Sequence, residues 1–167
     1  VGSFLLLAGR LADQKGRRKL FQIGVAIFVA GSFLSAVAPT PGLLIAARVL
    51  QGIGGSILSP ASLSMVLPEF PAERRSLVIG IWGASAALGA AIGPSIGAII
   101  LYLLTWRWVF LVNVPIGLVI LLVTPRFVRE SRDPDARGGY DLVGVPAGTI
   151  GVAMVLLAVV QGQVWGY

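Results

Sequence analysis

A chain of 167 residues that is 56% hydrophobic, 12% charged and has a mean hydropathy of +0.90 cannot hide its apolar surface in a soluble core, so lipid is its main solvent. The net charge of +6 does not point to nucleic acid, because the basic residues sit in short loops between apolar runs. Cysteine and histidine are both absent, which excludes disulfides and thiolate metal sites and removes the usual zinc ligand and general base.

In chain order, Val1 to Ala8 is apolar but too short to span, at about 1.5 Å per residue against a hydrocarbon core of about 30 Å. It reads as the cytoplasmic end of a helix whose start lies outside the sequence, and the chain reads as a fragment. A basic hairpin follows over residues 9–19, with five Lys/Arg, one carboxylate (Asp13) and the glycines Gly9 and Gly16. Five complete spans come next: about Leu20 to Ala38, Gly42 to Leu67, Ser76 to Leu104, Trp108 to Val123 and Leu142 to Val160. Pro39 and Pro41, then Pro68 and Pro71, mark the first two breaks. The stretch 124–141 is a charged connection that mixes arginines with Glu130, Asp133, Asp135 and Asp141, and it is too short for a soluble domain.

Alternate loops differ sharply in charge. Loops 9–19, 68–76 and 124–141 carry eleven Lys/Arg, against Arg107 alone on the other side. The positive-inside bias therefore predicts that the three basic loops are cytoplasmic. Trp106, Trp108 and Trp165 fall at the headgroup depth this frame requires.

Four constellations are candidates for function. Arg48 is the one charged residue inside a complete span, followed by Gln51, Gly52 and Gly54. An unpaired arginine in hydrocarbon costs several kcal/mol or more, so it needs a partner or a watered cavity. One reading is a fixed positive charge that acidifies a neighbouring carboxylate; the other is snorkelling to the outer interface. No Asp or Glu lies inside a span, so such a carboxylate has to come from outside this sequence. In the third span Gly89, Gly93 and Gly97 recur every four residues on one face, and Pro94 removes the hydrogen bond to Ala90. That pattern suits either tight helix packing or a hinge. In the hairpin, the alternative is a loop that only sets topology, but Gly9 and Gly16 allow a sharp turn with close contact and Asp13 among five cations suggests an ionic latch. The outer turn carries Trp106, Arg107 and Trp108 as belt residues, with Pro115 and a polar Asn113 placed to bond a neighbouring helix.

These residues together resemble the major facilitator superfamily. Gly9, Asp13, Gly16, Arg17 and Arg18 are similar to the family's signature loop between its second and third helices, with Gln14 where a basic residue is usual. Arg48, Gln51 and Gly52 resemble its helix 4 motif, and Gly89, Gly93, Pro94 and Gly97 its helix 5 antiporter motif. The Trp106 to Gly117 stretch, with Asn113 and Pro115, is similar to the fourteen-helix drug:proton antiporters of the EmrB/QacA type.

The resemblance implies an all-α multi-pass helical bundle. Residues 1–123 would be part of an N-terminal six-helix bundle, 124–141 a cytoplasmic loop and 142–167 the following transmembrane helix. It implies no enzyme activity and no cofactor, with the proton gradient as energy source. Gly9, Asp13, Gly16, Arg17 and Arg18 would serve the cytoplasmic gate, and Arg48 with Gln51 and Gly52 proton coupling. The implied partners are hydrophobic or cationic small molecules, protons, membrane lipid and the missing C-terminal half, with no nucleic acid. A same-fold importer and a non-transporting scaffold or receptor are the alternative readings.

Overall fold

A computed structural model of the chain describes residues 16–128, 130 and 131, together with seven helical positions between 147 and 161. The partial helix 1–8, hairpin residues 9–15, the stretch 132–141 and most of the fifth span lie outside the described residues. Every regular element among the described residues is helical. Helix α1 is Arg17–Val37, α2 Pro41–Val66, α3 Arg75–Leu103, α4 Arg107–Leu111 and α5 Asn113–Phe127. Two single 3₁₀ turns, Leu67–Glu69 and Ala72–Arg74, join α2 to α3. Four stretches, Arg17–Val37, Pro41–Glu69, Ala72–Leu103 and Arg107–Phe127, are long and apolar enough to cross a bilayer.

Local chemistry explains the helix ends. Thr40 caps α2, its Oγ1 accepting from the Leu43 N–H at 3.4 Å, with Pro41 in the first turn where it sacrifices no helical bond. The outer turn breaks at Val112, between α4 and α5, where Pro115 has no N–H to offer the carbonyl of Leu111.

The fourth span runs past its expected end at Val123, through Pro125 to Phe127. Pro125 cannot bond the carbonyl of Leu121, but the Gln22 side-chain amide of α1 donates to that oxygen at 3.5 Å. The Thr124 hydroxyl also donates to the carbonyl of Ile120 at 2.6 Å. A partner from another helix thus carries the chain through a residue that would otherwise stop it.

The main contact is α1 against α2. On α2, Ala47, Gly54 and Ala61 are buried at a seven-residue interval, with Gln51 and Met65 on the same side. That is the repeat of two helices packed along their length. On α1 the buried face includes Gly24, Gly31, Ser32, Ser35 and Ala36. The fit is close: a Cβ added at Gly31 would lie 2.6 Å from the backbone nitrogen of Gln51, and one at Gly54 would lie 2.5 Å from that of Phe28. Without hydrophobic drive between helices in lipid, such small residues are what bring backbones together. Helix α5 joins on the other side of α1, where the Val29 side chain occupies the space a Cβ on Gly117 would need.

Helix α3 is different. No residue of it is buried, and Leu88, Ile92, Ile96 and Ile99 are all exposed. It touches α2 chiefly near its start, where Trp82 Nε1 donates to Ser62 Oγ at 3.1 Å.

The close approach gives a direct expectation. Gly31→Ala and Gly54→Ala should each destabilise the intact protein by about 1–3 kcal/mol through overpacking. Thermal unfolding in detergent reads this out, and unchanged melting for both would mean the backbones lie farther apart.

Candidate functional site

The polar centre of the described bundle lies where α1 and α2 meet. Ser32 is completely buried and Gln51 is 4% exposed, both within apolar helices. Packing at Gly31 sets Ser32 opposite Gln51, and the Gln51 amide Nε2 donates to the Ser32 hydroxyl oxygen. The other end of the same amide, Oε1, accepts from Arg48 Nη1 at 2.6 Å. One side chain therefore spends its donor on α1 and its acceptor on the arginine, which fixes the amide orientation. Ser35, one turn on, satisfies its hydroxyl by donating to the carbonyl of Gly31 at 2.8 Å.

Arg48 itself is exposed, and its guanidinium lies over the Phe110 ring at 5.3 Å from the centroid. Cation–π contact of this kind contributes about 0.5–2 kcal/mol, more as the site dries. Phe110 is held in turn by an edge-to-face contact with Trp106 at 6.1 Å and 82°. Beside the guanidinium is an open cavity of about 340 Å³ lined by Phe28, Gln51, Gly52, Phe110 and Asn113, among others. Among the described residues the other N–H donors of Arg48 have no protein partner. The guanidinium is tethered at one edge, covered on one face, and otherwise open to the cavity.

A second cluster sits at the start of α1. Gly16 has φ of +111°, a conformation suited to glycine, and the following residues meet the segment after α5. The Glu130 carboxylate accepts from the backbone N–H groups of Arg18 and Lys19 at 3.1 and 3.2 Å. Its Oε2 lies 3.7 Å from Arg18 Nε, and Arg18 Nη1 donates to the carbonyl of Val128 at 3.2 Å. Arg17 bonds Ser131 twice, through its backbone N–H at 3.1 Å and through Nη1 at 3.4 Å.

The remaining candidates are less tied down. Helix α3 continues through Pro94, and a Cβ at Gly89, Gly93 or Gly97 would meet nothing within 4 Å among the described residues. In the outer turn Arg107 lies over the Trp106 ring at 4.7 Å. Among the described residues Asn113 bonds no other span: its Nδ2 donates to the carbonyl of Val109 at 3.4 Å, bridging the α4–α5 break.

The family model of the Major Facilitator Superfamily matches residues 1–146. The chain belongs to the Major Facilitator Superfamily. It is therefore a multi-pass membrane protein of a transporter family, not an enzyme. It is 37% identical over 98% of its length to the multidrug resistance protein Stp of Mycobacterium tuberculosis, covering 30% of that protein. It is 42% identical over 87% of its length to the multidrug efflux pump LfrA of Mycolicibacterium smegmatis, covering 29%. It is 35% identical over 99% of its length to a methylenomycin A resistance protein of Bacillus subtilis, covering 35%. The chain thus spans about a third of the length of these curated relatives.

Within this superfamily member the structure brings Arg48 and Gln51 together, with Gly52 on the cavity wall, and places Gly16, Arg17 and Arg18 in one cluster. Gly9 and Asp13 lie outside the described residues. Pro115 stands in the first turn of α5, Trp106 packs on Phe110, and Trp108 is exposed at the start of α4. Three contributors were not singled out from sequence: Ser32, Phe110 and Glu130. Ser32 carried a faint signal as a hydroxyl among apolar residues, and Glu130 as an acid among arginines. Phe110 carried none beyond its aromaticity.

The shared bond at the centre is testable by a double-mutant cycle. Gln51→Leu should cost about 1–3 kcal/mol by stranding Ser32, and Ser32→Ala in that background should cost much less than alone. Strictly additive losses in melting stability would mean that the two side chains do not touch.

Proposed function

We propose that the chain is the N-terminal part of a proton-coupled exporter that moves hydrophobic or cationic small molecules by alternating access. The observation that carries the reading is the tethered Arg48: a guanidinium inside a span, fixed by Gln51 and Phe110 and open to a cavity. A cation held so lowers the pKa of a carboxylate brought beside it and so promotes proton release. No Asp or Glu lies within the described spans outside their end turns, so that carboxylate belongs to the rest of the protein. The names of Stp, LfrA and the methylenomycin A resistance protein support the export of toxic compounds.

In this reading the tight α1–α2 pair moves as a unit against the remaining helices about a midplane site, as rocking-bundle transporters do. The basic loops face the cytoplasm, and Asp13, Arg17 and Arg18 hold the inner side shut. The glycine face of α3, with Gly89, Gly93, Pro94 and Gly97, is bare among the described residues and available to a further helix. The aromatic outer turn anchors the opposite end. Proton movement supplies the energy, with no cofactor.

Everted vesicles containing the whole transporter test this. An interior-acid gradient should drive uptake of a fluorescent hydrophobic cation such as ethidium, and Arg48→Ala should cut the rate by about tenfold or more, equal to one pKa unit of lost coupling. Uptake that ignores the gradient, or survives Arg48→Ala, would reject the proposal. Asp13→Asn should likewise suppress flux at normal expression, and near-normal flux would reject its part in closing the inner side.

A further inference from the structure

We propose that Glu130 is the positioning residue of the cytoplasmic hairpin: its carboxylate straps the segment after α5 to the first turn of α1 and so fixes where Arg17 and Arg18 stand. This rests on reading that hairpin as the inner gate.

The first turn of α1 has an unmet need. It begins Arg17-Arg18-Lys19, has no acidic residue and receives no side-chain cap from its own N-cap, Gly16. The first four N–H groups of a helix lack internal partners, and its N-terminus favours negative charge. Three cations there are the wrong sign. The missing anion comes from 112 residues away in sequence, as the two oxygens of Glu130 accept from the N–H groups of Arg18 and Lys19. Such charge-assisted bonds are the strong class of hydrogen bond. The same carboxylate faces Arg18 Nε, a nitrogen that is buried and has no other partner among the described residues.

Gly16 fits the same role. A Cβ there would stand 2.6 Å from Glu130 Oε1, and its φ of +111° is one that side chains avoid. The glycine lets the chain turn left-handed and leaves room for the carboxylate. The segment is pinned on both sides of Glu130, by Arg18 to Val128 and by Arg17 to Ser131. The end of α5 and the start of α1 therefore move together, and the two arginines are preset before any further helix meets them. A basic hairpin without the strap would have to be ordered anew each time the gate closed.

The chain has no cysteine, so an introduced thiol can report on the strap. In the whole transporter, with any other cysteines removed and reconstituted in nanodiscs, Ser131→Cys should react slowly with an impermeant maleimide. Adding Glu130→Gln should raise that rate roughly tenfold, as expected for loss of a charge-assisted contact. Gly16→Ala should do the same, and should add less in a Glu130→Ala background, where the oxygen it strikes is gone. Glu130→Gln should also lower kcat with KM kept, because the strap does not touch the cavity at Arg48; Glu130→Asp should recover part of the loss. Unchanged labelling in both Glu130→Gln and Gly16→Ala overturns the proposal. Faster labelling with undiminished flux overturns it too, since the strap would then serve no gate. Faster labelling in a protein that moves no drug supports the strap and removes the export reading instead.

Discussion

The approach of two helix backbones at Gly31 and Gly54 is the constraint on which the rest of this structure depends. Neither position has room for a Cβ, so α1 and α2 touch main chain to main chain. Only at that separation does a serine on one helix reach a glutamine on the other. Inside a bilayer both polar groups would otherwise be stranded, at a cost of about 1–3 kcal/mol each. Small residues create the contact, and the contact permits the polar centre.

From that centre the order extends outward. Gln51, fixed by Ser32, has one acceptor left, and it goes to Arg48. Arg48 is then placed against Phe110, which lies in the short helix α4 at the start of the last described span and is braced by Trp106. A chain of contacts thus runs from the α1–α2 seam to the outer turn. It ends at an open cavity, where a guanidinium keeps most of its donors free among the described residues. A preorganised charge of this kind acts on whatever approaches it without first having to be ordered.

The other end of the bundle solves a different problem by the same means. Helix α1 starts with three cations where electrostatics asks for an anion, and Glu130 supplies it. Gln22 performs a parallel service for α5 by reaching the carbonyl that Pro125 leaves free. In both cases a residue distant in sequence completes the backbone bonding of a helix, and for the Leu121 carbonyl inside a span a medium without water demands it. Helix α3 stands apart, apolar and, among the described residues, uncovered along its glycine face.

Hydropathy and proline placement determined the class of this protein and, for the four spans among the described residues, where they turn to within a few residues. These signals are local: a run of apolar residues must be buried in lipid wherever it goes, and a proline breaks the ladder it sits in. Arg48 stood out for the same reason, as a charge in the wrong solvent. Its bond to Gln51 is local too, one turn along the same helix, but the partners of Ser32 and Arg18 were decided by tertiary structure alone. Ser32 and Gln51 are 19 residues apart in sequence, and Arg18 and Glu130 are 112 apart. No spacing rule joins them, because which serine meets which glutamine follows from the depth at which two helices interlock. The end of α5 shows the same limit: Pro125 reads as a stop until Gln22 is brought alongside.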